Sequence, residues 1–268
     1  MKSHSEKSDS SPPLTISLYA TPREFTEESL RGTTSIVVDV LRSSSTIAYA
    51  LVSGAREIIP VMTPAEAGEL ATRAGRDATL LCGERDGKPI EGFDLGNSPL
   101  EYTAERVGGR TLIFASTNGS PVMVRARVSD RVLVGGFNNF SAVTQSVVAA
   151  GKPVTILCSG LLEQFAIEDF LCGGKFVAAL LKDMPDTVIL NDGAKAAAVL
   201  YEHLNRSLAQ VLRESTHGQY LASLGFEADL DFCAQVDSLQ IVPTLVEGKI
   251  KGYRPDGTPF GEPATAAA

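Results

Sequence analysis

The sequence predicts an α/β fold: a three-layer sandwich with a mixed, largely parallel sheet and a mainly helical C-terminal portion. Three observations predict it. Short β-branched runs alternate with stretches of helical spacing through most of the chain. The helical stretches commonly open on Ser, Thr or Asn and close on Gly, as capped helices do. An apolar content of 44% in 268 residues suffices for a substantial core. Such alternation favours parallel strand pairs covered by helices on both faces, with ligands at the strands' C-terminal ends.

Taken in order, residues 1–12 are polar and read as a disordered tail, and one domain, with room for subdomains, is expected over 13–251. LTISLYA near 14 and TSIVVDVL near 34 are the first buried strands, and STIAYALVSGA is the helix that follows. EIIPVM near 57 is a strand and TPAEAGELATRAG a helix. CGERDGKPIEGFDLGNSPLEY is so dense in turn residues that a loop is expected throughout. TLIFAS near 111, RVLVGG near 131 and PVTILCS near 153 are three more strands; SPVMVRARV and NFSAVTQSVVAAG are the helices between them, and IEDFLCGGKFVAALL comes after. From about 192 to 236 helical spacing dominates. An extended SLQIVPTLVEG follows, and 252–268, rich in Pro and Gly, reads as a flexible tail.

Composition removes several function classes. With 24 Lys and Arg against 32 Asp and Glu the net charge is −8, no basic run interrupts it, and nucleic acid is not expected as a partner. The N-terminus lacks a signal peptide's apolar core and no segment approaches a membrane span, so a cytoplasmic protein with no membrane partner is expected. Cys82, Cys158, Cys172 and Cys233 are scattered, too sparse for a disulfide scaffold and without zinc-site spacing. The phosphate-loop pattern fails because Phe176 follows Gly174-Lys175, and Leu41 stands where a haloacid-dehalogenase site has its second Asp. No cysteine has the downstream Arg of a cysteine phosphatase. The histidines are His4, His203 and His217, so the metal ligands left are oxygens, which suit magnesium, with manganese as its substitute.

Four segments can carry chemistry. In SIVVDVLRSSSTIAYAL a strand delivers Asp39, Arg42 follows at the turn, and Ser43, Ser44, Ser45 and Thr46 open a helix. Hydroxyls, free backbone N–H groups and a planar guanidinium together suit a phosphate, carboxylate or sulfonate, and Asp39 suits a magnesium ion beside it. Plain helix capping by Ser43 or Ser44 explains the same residues without a ligand. The long loop offers Glu84, Arg85, Asp94, Asn97 and Ser98, with Phe93 and Leu95 to anchor it; a solvated surface loop is the bland alternative. Thr117, Asn118 and Gly119 can turn backbone N–H groups onto an oxyanion, or make an ordinary turn. Glu168 and Asp169 start a helix, where the helix dipole alone favours an acid. A magnesium site needs carboxylates from more than one element, and Asp39 with Asp169 is the favoured pair, helped by Glu84 or Glu168. His217 is available as acid or base, although an ordinary role is commoner. Cys158 and Cys172 are expected as buried small hydrophobes.

In this order, VVDVLRSSST, GERDG with GFDLGNSP, STNGS, and CSG followed by FAIEDFLCGG resemble the 2-phosphosulfolactate phosphatase family, GFDLGNSP being the most specific block. The resemblance implies a magnesium-dependent phosphatase of α/β fold that takes 2-phosphosulfolactate, a small anionic 2-hydroxy acid phosphate, to sulfolactate and phosphate. Related 2-hydroxy acid phosphates are further substrates. Within the matched blocks we assign Asp39, Arg42, Glu168 and Asp169 to catalysis and Asp39, Asp169 and Glu84 to the metal. Ser43, Ser44, Ser45, Thr46, Arg85, Asn97, Ser98, Thr117, Asn118 and Gly119 are assigned to substrate binding. Two departures flank the acid pair: Leu162-Glu163-Gln164 where the family usually has a Gly, and Ala166 where it has a Ser. Two other readings stand beside the phosphatase: a lyase or transferase using the same anion pocket, and a non-catalytic binder of phosphorylated acids. A homo-oligomer, specifically a dimer, is expected.

Overall fold

The computed structural model describes residues 14–75, 78–183, 188–204 and 207–261. The first half comprises β1 (Leu14–Tyr19), β2 (Thr34–Val38), α1 (Ser43–Val52), β3 (Glu57–Pro60), α2 (Pro64–Ala74), β4 (Thr79–Arg85), β5 (Lys88–Pro89), α3 (Ala104–Val107), β6 (Thr111–Ala115) and α4 (Gly119–Arg125). The second comprises β7 (Arg131–Gly135), α5 (Phe140–Ala150), β8 (Val154–Cys158), α6 (Ile167–Asp183), β9 (Val188–Leu190), α7 (Asp192–Leu204), α8 (Leu208–Glu214), α9 (Thr216–Ser223), α10 (Glu227–Cys233), β10 (Val242–Val246) and β11 (Lys249–Tyr253).

One sheet runs through the described residues in the order β5-β4-β6-β3-β11-β10-β7-β2-β8-β1-β9. It contains two parallel blocks, β4-β6-β3 and β7-β2-β8-β1-β9. The β10–β11 hairpin, antiparallel to both, joins them. The mixed, mostly parallel α/β sandwich expected from the alternation is therefore present. Strand β2 shows why an unbroken apolar run was the right signal: Ile36 and Val38 pack into the core under α5 and α6, while Val37 faces the core under α1. Helix α2 starts where Thr63 accepts a hydrogen bond from Glu66 N and Pro64 occupies the first turn, and it stops at Gly75.

Three expectations change. The loop predicted from Cys82 begins as strand, because β4 pairs along its length with β6 and then folds back on β5. Beyond it the loop is anchored as predicted, with Leu95 buried and the Tyr102 hydroxyl donating to Gly96 O at 2.6 Å. The tail predicted from 252 starts inside β11, where pairing with β10 compensates for weak local propensity, and Phe260 N still donates to Gly252 O at 2.9 Å. Strand β9, three residues at the sheet edge, was too short to read. Residues 1–12 and 262–268 lie outside the described residues.

Candidate active site

The site gathers the C-terminal ends of four strands, two from each parallel block, although the two blocks run in opposite directions. Asp39 follows β2, Glu84 sits near the end of β4, Thr117 follows β6 and Ser159 follows β8, and the C-terminal ends of parallel strands are where α/β sheets leave their loops free to hold ligands. In the sheet, β3, β11, β10 and β7 separate β6 from β2, but α4 packs on β2, β3 and α1 and carries the 117–119 turn across to Asp39. Only glycine fits at 119: a Cβ would collide with Asp39 Oδ2 and with the Ser43 side chain.

Two buried aspartates form the floor. Asp169, in the first turn of α6, accepts from Val40 N at 2.7 Å and Gly160 N at 2.9 Å, so it ties the turn after β2 to the turn after β8. Asp39 Oδ1 accepts from Ser43 N at 3.2 Å. Burial pushes Asp39 up to about 6, against the opposing pull of Ser43 and His217. Burial raises Asp169 well above the usual carboxylate range, and the charges of Asp39 and Glu168 raise it further. No lysine or arginine is among the main influences on either group.

Glu84 faces them from the other parallel block. Its Oε1 accepts from Thr117 N at 2.6 Å, and its Oε2 accepts from Gly87 N at 2.8 Å and Thr117 Oγ1 at 3.0 Å. The Thr117 N–H, expected to point at an oxyanion, is thus engaged by protein. Asn118 Oδ1 accepts from Leu162 N at 2.9 Å. Glu168 Oε1 lies 3.4 Å from His217 Nδ1.

Arg42, assigned to catalysis, and several residues assigned to the substrate from sequence have interior partners instead. Arg42 is buried: Nη1 pairs with Asp229 Oδ2 at 2.7 Å, Nη2 donates to Gly87 O at 2.9 Å, and the guanidinium lies over the Phe226 ring. Ser98 Oγ donates to the other oxygen of Asp229 at 2.6 Å. A planar fork that meets a buried carboxylate, a carbonyl and an aromatic face has the partners a buried guanidinium requires, and it is held off the cleft. Ser44 Oγ accepts from Asp39 N, Ser45 Oγ donates to Asn138 Oδ1 and Thr46 Oγ1 donates to Asn97 O, so these hydroxyls fasten α1. Ser43 remains beside Asp39, and its Oγ accepts from Asn97 Nδ2 at 3.4 Å. Arg85 donates to Glu84 O and Met62 O and does not line the cleft.

Beside the two aspartates a cleft of about 290 Å³ is walled by Glu84, Thr117, Asn118, Leu162, His217 and Tyr220, and Glu84 and His217 are the wall residues whose charges act on Asp39. His217 and Tyr220 arrive on α9, and Asp229 on α10. Sequence reasoning gave His217 an ordinary role and passed over Tyr220 and Asp229, because nothing local marks a helix that reaches the site only by packing. The remaining signal was that His217 is one of three histidines in the chain.

Comparison with known proteins bears on what such a cleft serves. The profile of the family described as 2-phosphosulpholactate phosphatase matches residues 19–248. The chain belongs to the 2-phosphosulfolactate phosphatase family. Relatives named probable 2-phosphosulfolactate phosphatase include one from Thermotoga petrophila, 40% identical over 215 residues that make up 80% of this chain and 90% of the relative. One from Symbiobacterium thermophilum is 40% identical over 226 residues, 83% of this chain and 95% of the relative. One from Caldanaerobacter subterraneus is 36% identical over 236 residues, 88% and 97% respectively. Membership of the 2-phosphosulfolactate phosphatase family makes the chain a hydrolase of phosphoric monoesters.

In a phosphatase of this family the acids must also be weighed as metal ligands. Among the described residues no three His, Cys, Asp or Glu side chains converge closely enough to enclose an ion, so a closed protein cage is not built. Magnesium uses open sites instead, with one or two carboxylates, water and the substrate's own phosphate. Asp39 and Asp169, buried, mutually repelling and with no lysine or arginine among their main influences, fit that donor set. Two buried oxygens nearby have no hydrogen-bond partner, Asn97 Oδ1 next to Ser43 and Ser159 Oγ next to Gly160.

Proposed function

We propose that the chain hydrolyses 2-phosphosulfolactate to sulfolactate and inorganic phosphate in a magnesium-dependent reaction, and accepts related 2-hydroxy acid phosphates. The observation that carries this reading is the buried Asp39–Asp169 pair, with no lysine or arginine among its main influences, beside Glu84 and His217 of a cleft of small-molecule size. Asp39 and Asp169, with Glu84 opposite, would hold the ion. When bound, magnesium supplies the positive charge that this acidic site lacks for phosphate oxygens.

The chain's own residues do the rest. Asp169 holds the turns after β2 and β8 together, so the floor is pre-organised before substrate arrives. Ser43 Oγ and Asn97, next to Asp39, offer neutral polar contacts to phosphate oxygens. Glu84 fixes the Thr117 backbone and with it the wall of the cleft. His217, backed by Glu168, is the group on the wall suited to give a proton to the departing 2-hydroxyl oxygen. The four cysteines are all free and buried, which accords with a reducing cytoplasm as the working compartment, and we propose a homodimer as the working form.

The test is phosphate release from 2-phosphosulfolactate and from phospholactate by purified, chelator-treated protein, with and without added magnesium. Magnesium-dependent release, fastest with the sulfonate, is expected. Release that is indifferent to magnesium removes the metal from the reading, and no release from either compound removes the reaction.

A further inference from the structure

We infer that Leu162 is a specificity-determining residue, the partition between the catalytic cleft and a second chamber, which limits the size of the group the substrate may carry on the carbon next to its phosphate-bearing one. The inference rests on the phosphatase reading above and deepens it.

After β8 the chain reverses tightly: Leu161 N donates to Gln164 O at 3.0 Å and Gln164 N to Leu161 O at 2.9 Å. Within the reversal Leu162 and Glu163 both have left-handed backbones, with φ of 51° and 59°, a region where side chains are disfavoured and glycine is at ease. The turn is pinned twice. Leu162 N donates to Asn118 Oδ1 at 2.9 Å, and Glu163 pairs with Arg23 at 2.9 Å. A residue kept in an unfavourable conformation by contacts on both sides is a frequent mark of a functional site.

The cavities show what the side chain does there. Behind the turn lies a second chamber of about 330 Å³, with walls that include Pro22, Met62, Pro121 and Val122. Leu162, Thr117 and Asn118 are the residues that line both chambers. Thr117 and Asn118 are held by hydrogen bonds to Glu84 and to Leu162 N, whereas Leu162 is 59% exposed and borders both spaces. The second chamber does not suit another anion. Arg125 lines it, but its guanidinium is engaged by Glu27, Pro22 O and Phe25 O and lies over the Phe25 ring. Pro22, Met62, Pro121 and Val122 give an apolar substituent a face to bury against, beside the polar Ser159 and Glu163, and the leucine stands in its way.

Leu162→Ala and Leu162→Gly test this, the glycine variant because the left-handed backbone at 162 accepts it and the turn stays formed. Wild type and both variants are assayed with 2-phosphosulfolactate and with 2-phospho-3-phenyllactate, and the same two compounds are titrated calorimetrically. Both variants are expected to raise the phenyl-to-sulfonate ratio of kcat/KM by about tenfold or more, mainly through KM, with a matching change in binding. Phe165→Ala, in the same turn but lining neither chamber, is expected to leave the ratio unchanged. A ratio within about twofold of wild type in both leucine variants overturns the inference. So does an equal change in the Phe165 variant. Should wild type release phosphate from neither compound, the reaction reading fails, and calorimetry alone decides the partition.

Discussion

Asp229 and Asp39 are both buried aspartates, and Arg42, three residues after Asp39, pairs with Asp229. Around Asp229 the charge is fully met: Arg42 donates to one oxygen, Ser98 to the other, and Phe226 covers the guanidinium. Around Asp39 and Asp169 the strong donors are backbone N–H groups, and the neighbouring charges are mostly other acids. The difference separates a cluster whose charges are met within the protein from one whose charges are not, and the second is the one to which the proposed function gives the metal and the substrate.

The sharpest way to break this comparison is to remove one member of each cluster. Asp39→Asn is expected to lower kcat/KM for phosphate release by about 10²–10³-fold while the circular dichroism spectrum stays native. Arg42→Met is expected to act on stability instead, costing about 3–5 kcal/mol in urea unfolding by leaving Asp229 buried and unpaired. The double variant Arg42→Met/Asp229→Leu is expected to recover most of that loss, since an apolar pair needs no compensation.

A pH series sharpens the contrast further. Asp39 sits at about 6 in the folded chain against an ordinary 3.8, so between those values the native state holds a proton that the unfolded state has released. Stability of the metal-free protein is therefore expected to fall as pH rises from about 4 to about 6, by on the order of 2–3 kcal/mol for this group. Asp169 shifts in the same direction and adds to the slope. Asp39→Asn is expected to flatten the slope and to raise the melting temperature at pH 7.5, which a scanning calorimeter reads. Gly119→Ala, which drives a methyl into Asp39 Oδ2 and Ser43, is expected to cost about 1–3 kcal/mol together with activity. The smallest effect is expected for Arg23→Ala, which removes a surface pair more than half exposed on both sides and should cost less than about 1 kcal/mol.

Much of the fold was legible because its signals are local. The β2 run, the capped start of α2 and the apolar spacing of α6 each declare themselves within about a dozen residues, and they formed as read. The elements that went unread, β5, β9 and β11, are short or weakly patterned and exist because a neighbouring strand pairs with them. Among the candidate residues the acids at strand ends and helix starts were legible: Glu84 lies close enough to Asp39, and Asp39 and Glu168 close enough to Asp169, for their charges to act on one another. The serine run was legible as a helix start, but Ser44, Ser45 and Thr46 turned inward because α1 is buried there. Arg42 looked like a substrate ligand because its partner lies 187 residues away on α10, beyond any local pattern.

By itself the sequence determined the alternation of strand and helix and the order of motifs that marks the family, since periodicity and spacing are properties of the chain alone. Only the tertiary structure decided that Asp229 neutralises Arg42, that α9 sets His217 on the cleft wall, and that Leu162 stands between two chambers. Each of these depends on which surfaces bury against one another, and that is settled by packing across the whole chain.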